Sequence, residues 1–509
     1  MDRVFSHPVL SCAEAKAWEA ALLKGEAAEW DAMQRAGAAL AAAIAEDFRE
    51  IGGLPENARI LALAGKGHNG GDALLAAAEL LQRFPQATAD VVFAFGEAAL
   101  RPLAARAWEG LRGVRVRVLP EASAQEVQAT TYDLCLDGVF GMQFRLPLEE
   151  RVAELLARVN THPRIRLRAA VDLPSGLGEA NAGTVFRADF TYATGVVKAP
   201  AVLPESARFT GRLRYLDLGF FAAGEPGQPR ERVLTPAVLA PLAALRPSQT
   251  DKRTYGHLLV VGGSRSYPGA VVLAVRAALR SGAGLVTAFV PASLAPEYAA
   301  RHPEAMWVGC PETAAGGLAQ GTAGLIQERL ARATALLMGP GMSAEPEVLG
   351  AMAAIVRHAN IPLVLDADAL RPEVLTTAPG PAIICTPHAG EYQRLGGRAG
   401  LRPARKEAEV IAVLKGPLTR IVTNPGRSET GPDYYSPFGG PVLARGGSGD
   451  ILAGLIGGLL AQAPGDPLQA ACRGTVWHGR AADLLARARG QVAVEISEII
   501  EQLGPALLS

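Results

Sequence analysis

No two cysteines in this chain are close enough to form a CxxC motif. The five present, Cys12, Cys135, Cys310, Cys385 and Cys472, lie far apart in sequence. That spacing argues against a zinc site or a disulfide framework and leaves buried, reduced thiols in a cytoplasmic protein as the expectation. Excess charge is missing too: 50 basic residues balance 50 acidic ones, and no long run carries one sign. Neither a nucleic-acid-binding stripe nor a polybasic membrane patch is expected. The longest apolar runs, such as residues 36–45, fall short of the roughly 20 residues that a bilayer span needs. Residues 1–18 have no apolar segment behind their basic residue, so no secretory signal is expected. No short repeat period marks a solenoid or a propeller.

Core material, by contrast, is ample. Of 509 residues, 49% are hydrophobic and 20% charged, a globular composition too long for one ordinary domain. Strand-like runs alternate with helical ones, the pattern of parallel sheets covered by helices. In the first half strands are predicted over 59–64, 91–95, 132–136 and 168–172, with a helix over 73–84. Residues 223–232 turn to Ala, Gly, Pro, Gln and charge without an apolar period, and form a candidate linker. A second series of strands is predicted over 257–261, 285–290, 335–338, 362–365, 382–385 and 420–423, with a helix over 270–280. The halves do not read as copies. The expected fold class is α/β, with two different domains at 1–222 and 233–509.

The most pointed motif is Gly446-Gly447-Ser448-Gly449-Asp450, followed at once by the apolar run 451–461. Small residues at the mouth of a buried helix leave backbone N–H groups free for a phosphate, and the helix dipole favours the anion. Asp450 beside that hole is placed to take a proton from a hydroxyl aimed at the phosphate. The plainer alternative, Asp450 as a helix cap, does not call for three glycines ahead of it.

In the first half, Gly65-Lys66-Gly67-His68-Asn69-Gly70-Gly71-Asp72 satisfies G-x-G-x-x-G between a strand and a helix. The acid that would hold a ribose after the second strand is absent, since Asp90 precedes that strand. No Gly-Lys-Ser/Thr follows, which excludes a Walker loop. A tight turn needing positive φ is the structural alternative. Asn69, Asp137 and Ser175 each fall just after a predicted strand, where an amide, a carboxylate and a hydroxyl suit a hard cation or, equally, ordinary turns. Asp172, in Val171-Asp172-Leu173-Pro174-Ser175-Gly176, suits acid/base work or an Asx-turn.

These pieces, with Met33-Gln34-Arg35-Ala36-Gly37 before them and Asp137-Gly138-Val139-Phe140-Gly141 between, resemble the NAD(P)H-hydrate epimerase family in order. The resemblance implies a Rossmann-like three-layer sandwich, with K+ held by Asn69, Asp137 and Ser175. It places the hydrated nicotinamide nucleotide against His68, Asn69, Gly70, Gly71 and Asp72, and against Gly141, Met142, Gln143, Phe144, Arg145, Leu146 and Pro147. Asp172 would stand close to the reacting ring as a catalytic residue. The family usually has Asn at His68, and a Gly-Thr-Gly type loop where Gly141-Met142-Gln143 stands.

In the second half, residues 252–263 read as a strand ending in a glycine turn, and Gly339-Pro340-Gly341-Met342 follows another strand. Asp366 and Asp368 sit at a strand end, His388 on a loop, and residues 414–419 at a β-turn. Singly, each has a plain alternative: a cap for Asp366 and Asp368, a surface charge for Lys415, a structural bond for His388. Together they resemble the ADP-dependent NAD(P)H-hydrate dehydratase family, a ribokinase-like domain, from about residue 252 to 479. Carried over, Lys415, Gly416, Pro417, Leu418, Thr419, Gly447, Ser448 and Gly449 would contact the adenine nucleotide. Ala270, Gly341 and His388 would contact the hydrated nucleotide, with Asp450 as the base. Asp251, Arg253 and Val494-Glu495 depart from the usual pattern without touching the hole.

The two resemblances imply repair of hydrated NADH and NADPH. The first half would exchange the R and S hydrates. The second would dehydrate the S hydrate with ADP and Mg2+, phosphorylating a hydroxyl that otherwise leaves badly. The alternatives are a ribokinase-like small-molecule kinase fused to a non-catalytic nucleotide-binding module, and a binding-only metabolite sensor. The expected partners are these small molecules, with neither nucleic acid nor membrane, and the expected assembly is a homo-oligomer.

Overall fold

The computed structural model describes residues 4–113, 115–120, 124–179, 183–401, 408–425 and 431–508. The chain divides into two compact units. His7–Val233 with Ala486–Gln491 forms one; Leu234–Leu485, Val492–Ser509 and the segment ending at Ser6 form the other.

The N-terminal unit takes strands β1 (Ser6–Leu10), β2 (Arg59–Ala64), β3 (Thr88–Phe93), β4 (Val116–Leu119), β5 (Tyr132–Gly138), β6 (Ile165–Val171), β7 (Phe190–Thr194), β8 (Val197–Lys198) and β9 (Arg212–Leu216). Seven of them form one sheet in the order β4-β3-β2-β5-β6-β7-β9, with every neighbour parallel. The central strand β2 is apolar and buried on both faces from Ile60 to Ala64, as a sheet covered by helices on both sides requires. Strand order reverses between β2 and β5, so their carboxyl ends border one crevice. Separately, β1 pairs in parallel with β8, setting Leu10 opposite Lys198.

Three expectations for this unit change. The helix begins at His68, not at residue 73, and runs to Arg83, so Asn69 sits in its first turn and not on a loop. None of Gly65, Gly67, Gly70 and Gly71 has positive φ. Space is what Gly70 and Gly71 supply: a Cβ on Gly70 would lie 2.2 Å from the Gly65 carbonyl oxygen, and one on Gly71 2.3 Å from Met33 Cε. Asp90 lies inside β3 and is structural, accepting hydrogen bonds from Arg117 and from Tyr132 Oη.

After Phe221 no helix or strand forms until β10 (Glu231–Leu234), so the last two residues of the candidate linker are strand. The C-terminal unit then takes β11 (His257–Val261), β12 (Leu285–Pro291), β13 (Met306–Cys310), β14 (Ala335–Met338), β15 (Leu363–Leu365), β16 (Ala382–Cys385), β17 (Glu409–Leu414), β18 (Thr419–Thr423) and β19 (Asp433–Ser436). Their order is β13-β12-β11-β14-β15-β16-β17-β18-β19, again reversing beside the first strand of the series. Pairing is parallel as far as β17 and antiparallel through β18 and β19.

Behind this sheet lies the helix Ser448–Gln462, buried almost all round because it is apolar almost all round. Its small residues let the helix Pro268–Arg280 approach closely. A Cβ on Gly454 would stand 2.1 Å from the Ala274 carbonyl oxygen. Four of the five cysteines are buried among the apolar side chains. Loss of hydration pushes their thiols up, to about 11 for Cys310 and about 12 for Cys385.

Two alanine substitutions separate space from helix propensity. Gly324→Ala, on an exposed helix position with no atom near the new methyl, is expected to raise stability by about 0.5–1 kcal/mol. Gly454→Ala is expected to lower it by about 1–3 kcal/mol through overpacking. Urea melts of the two variants check the opposite signs.

Candidate active sites

In the N-terminal unit, residues at the carboxyl ends of β2, β5, β6 and β7 converge on a cavity of about 340 Å³. The helix after β2 contributes His68, Asn69 and Asp72, and the loop after β5 contributes Gly141, Met142, Gln143, Phe144, Arg145 and Pro147. Asp172 enters just past β6 with φ 66°, a left-handed backbone that a non-glycine residue adopts only at a cost. It is no Asx-turn: its side chain accepts from Lys198 Nζ at 2.5 Å and from Thr194 Oγ1 at 3.5 Å. Glu19 Oε1 is 3.5 Å from the same ammonium.

Burial alone would lower the Lys198 ammonium, but Asp172 and then Glu19 outweigh it and hold it above its ordinary range. Asp72, in the same wall, is pushed well above the carboxylate range by burial, then by the charges of Asp172 and Glu19. Its Oδ1 is buried and has no hydrogen-bond partner.

Next to the cavity, Asn69, Asp137 and Ser175 come together as the sequence suggests. Ser175 Oγ donates to Asp137 Oδ1 at 2.6 Å, and Ser175 N to Oδ2 at 2.8 Å. Phe140 N donates to Ser175 Oγ, and Asn69 Nδ2 to the Phe140 carbonyl, both at 2.8 Å. Burial raises Asp137 to about 6, against those hydrogen bonds, and no basic side chain enters its balance. Gly141 lies against this group: a Cβ there would be 3.2 Å from both Asn69 Oδ1 and Asp172 Oδ2. Gln143, where the resembled family has glycine, does not have positive φ, so the backbone tolerates its side chain. Gly70 and Gly71 do not line the cavity, and Leu146 lines a neighbouring one of about 530 Å³.

In the C-terminal unit the helix Ser448–Gln462 starts behind Gly447, whose φ of 94° is left-handed, and no side chain caps it. Asp450 sits within the first turn and is not the cap. Lys415, at the end of β17, lies over this turn: its Nζ is 3.0 Å from where a Cβ on Gly449 would be. The same Nζ is 2.9 Å from Asp366 Oδ1 and 4.0 Å from Glu391 Oε2. Asp366 is buried and also accepts from Thr386 Oγ1 at 2.7 Å, so neither it nor Lys415 is a cap or a free surface charge. Asp368 accepts from Ser343 N at 2.9 Å. Ala367 and Ser343 both have left-handed backbones, at φ 47° and 75°.

Asp450 is raised to about 7, first by burial and then by Asp366, against the opposing charge of Lys415. His388 has the structural role that a loop histidine suggests: Nδ1 accepts from Gly390 N at 3.0 Å and caps the next helix, while the rest of the ring is exposed. Gly341, at φ 65°, packs beside Ala270, whose Cβ would be 3.0 Å from a Cβ on Gly341. Gly416, Pro417 and Leu418 form the turn between β17 and β18, and Thr419 opens β18.

A family model described as NAD(P)H-hydrate dehydratase matches residues 258–504, and one described as YjeF-related protein N-terminus matches residues 30–199. A bifunctional NAD(P)H-hydrate repair enzyme of Gloeobacter violaceus is 36% identical over 523 aligned positions, spanning 98% of this chain and 97% of its own. The chain belongs to the family of bifunctional NAD(P)H-hydrate repair enzymes. Another member, from Moorella thermoacetica, is 34% identical and covers 92% of this chain and 91% of its own. The crystal structure of the ADP/ATP-dependent NAD(P)H-hydrate dehydratase of Bacillus subtilis, co-crystallised with ATP and Mg2+, is 27% identical. It covers 53% of this chain and 96% of its own, with a TM-score of 0.43.

In this repair enzyme several site residues escape the motif reading. Lys198, Glu19 and Thr194 line the first cavity, yet none belongs to a motif. A lone lysine set between Val196-Val197 and Ala199-Pro200 is the signal that could have found Lys198. His478 is buried on the long helix Pro467–Arg489, pushed down to about 4 by burial and then by Lys415.

The Asp450 shift carries a stability signature. Its carboxyl holds its proton to higher pH in the folded chain than in the unfolded one, so its contribution to stability falls as pH rises from about 4 to about 7. Asp450→Asn is therefore expected to raise the melting temperature at pH 8 and to leave it nearly unchanged at pH 4. Melts across that range check the sign.

Proposed function

We propose that residues 1–222 exchange the R and S hydrates of NADH and NADPH, and that residues 233–509 dehydrate the S hydrate at the expense of ADP. The products are NAD(P)H, AMP and phosphate. Membership of the repair family supports this reading of the whole chain. The observation that carries the mechanism is Asp450, raised to about 7 in the first turn of an uncapped helix with Lys415 over it. A base with proton affinity near neutral is both ionised in useful amount and able to accept a proton.

Asp450 takes the proton of the ring hydroxyl as that oxygen attacks the terminal phosphate of ADP, and AMP departs. The N–H groups of Gly449 and Asp450 and the Lys415 ammonium would face the charge that develops on the phosphoryl oxygens. The new phosphate then leaves with the C–O bonding electrons, pushed by the ring nitrogen lone pair, and loss of the adjacent ring proton restores the double bond. Gly416, Pro417, Leu418, Thr419 and Gly447 would hold the adenine nucleotide, and Ala270, Gly341 and His388 the hydrated one. Mg2+ would be held beside Asp366, Asp368, Glu391 and Asp450, the first three of which raise the proton affinity of Asp450, and would neutralise phosphate charge.

K+ fits the first unit for a related reason. Asp137 is a buried carboxylate without a basic partner, set beside the hydroxyl of Ser175, the amide of Asn69 and the Phe140 carbonyl. An all-oxygen set around one negative charge suits a large monovalent cation, which would fix the loop carrying Gly141. Asp172 would act at the hydroxyl-bearing carbon. A homo-oligomer in the cytoplasm completes the reading.

Purified S hydrate and ADP test it through the return of reduced-nicotinamide absorbance. Asp450→Asn is expected to lose about 10²–10⁴ in kcat while both ligands still bind. Release of a stable phosphorylated product in place of inorganic phosphate would indicate a kinase instead. Supplying the R hydrate alone tests the first half, and Asp172→Ala is expected to abolish its recovery without slowing the S hydrate.

A further inference from the structure

Lys198 is 1% exposed, among the largest fully buried side chains of the protein. Burying an ammonium is costly unless its partners hold it in the charged form, and such groups recur where proton transfer is needed. The two-residue strand β8 and its pairing with β1 fix the lysine backbone. Its Nζ meets Asp172 Oδ1, Glu19 Oε1 at 3.5 Å and the Thr194 carbonyl at 3.4 Å, and the side chain forms part of the cavity wall. A purely structural ion pair accounts for neither the left-handed backbone of Asp172 nor the buried, unpartnered Oδ1 of Asp72 in the same wall. Asp172 Oδ2, the oxygen not bound to the lysine, lies toward Gly141, on the side given to the nucleotide.

We propose that Lys198 is the proton donor of epimer exchange, paired with Asp172 as the acceptor. The proposal rests on the epimerase reading of this unit. Asp172 removes the proton of the ring hydroxyl, the carbon–nitrogen bond beside it breaks, and the carbon becomes an aldehyde. The electron pair of that bond goes to the ring nitrogen, which takes its proton from Lys198. Rotation and closure on the other face reverse both transfers and leave the other epimer, with no oxidant or reductant involved. Ring opening creates no new net charge in a cavity that already holds an ammonium. Loss of hydroxide would set a second cation beside it.

The full chain tests this by chromatographic separation of the hydrates, without nucleotide, alongside dehydration of the S hydrate. Lys198→Ala is expected to slow epimer exchange by about 10²–10⁴ and to leave S-hydrate dehydration unchanged. Small primary amines should restore exchange, with rates that follow amine basicity. A merely space-filling role would not give that dependence. Lys198→Arg keeps the charge and guards against a misfolded alanine variant; it too is expected to lose exchange, because guanidinium does not give up a proton. Wild-type exchange in either variant, or rescue indifferent to amine basicity, overturns the proposal. A wild-type chain that consumes the S hydrate but never the R hydrate overturns the epimerase reading itself, and the proposal with it.

Discussion

A half-buried helix start without a side-chain cap governs the chemistry of the C-terminal unit. Its first N–H groups have no partner within the helix, and burial makes that deficit expensive unless something negative fills it. The left-handed turn at Gly447 brings the chain to this point, and Lys415 reaches over Gly449 from the neighbouring strand. The ammonium is in turn held by Asp366. One ammonium and the helix N–H groups thus stand among acids, so that an anion finds donors there while the carboxylate beside them stays basic.

The N-terminal unit reaches a comparable end by different means. Its glycines serve proximity: Gly70 and Gly71 let the first helix turn sit against Gly65 and Met33, so that Asn69 and Asp72 stand at the sheet's crevice. The charged pair here is buried and joins Asp172, just past β6, to Lys198 in β8. Strained backbone marks both places, at Asp172 in one unit and at Ala367 and Ser343 in the other. Strain of this kind persists only where surrounding packing over-determines the conformation, which is the condition for holding reacting groups still.

Much of this was legible in the residues. Strands at 59–64, 257–261, 335–338 and 382–385 agree with the structure to the residue, because short runs that are apolar after at most one polar first residue have few other readings between turns. The oxygen cluster of Asn69, Asp137 and Ser175 was legible too, from its places around strand ends. What stayed hidden depends on tertiary context. The helix start at His68 was masked by glycines that propensity assigns to a turn, although packing makes them helical. Asp90 reads as a loop acid until Arg117 and Tyr132 arrive from distant strands to bind it. Lys198 and Glu19 lie 179 positions apart in sequence (198 − 19), and no local pattern announces a pair at that range.

The thiols give the fold one further property. Four of the five are sealed in the interior and held in the protonated form by loss of hydration. Peroxide and electrophiles attack thiolate, of which these sites offer very little. Oxidative stress should therefore leave this catalyst intact at those four positions, even while it inactivates enzymes that keep an exposed sulfhydryl.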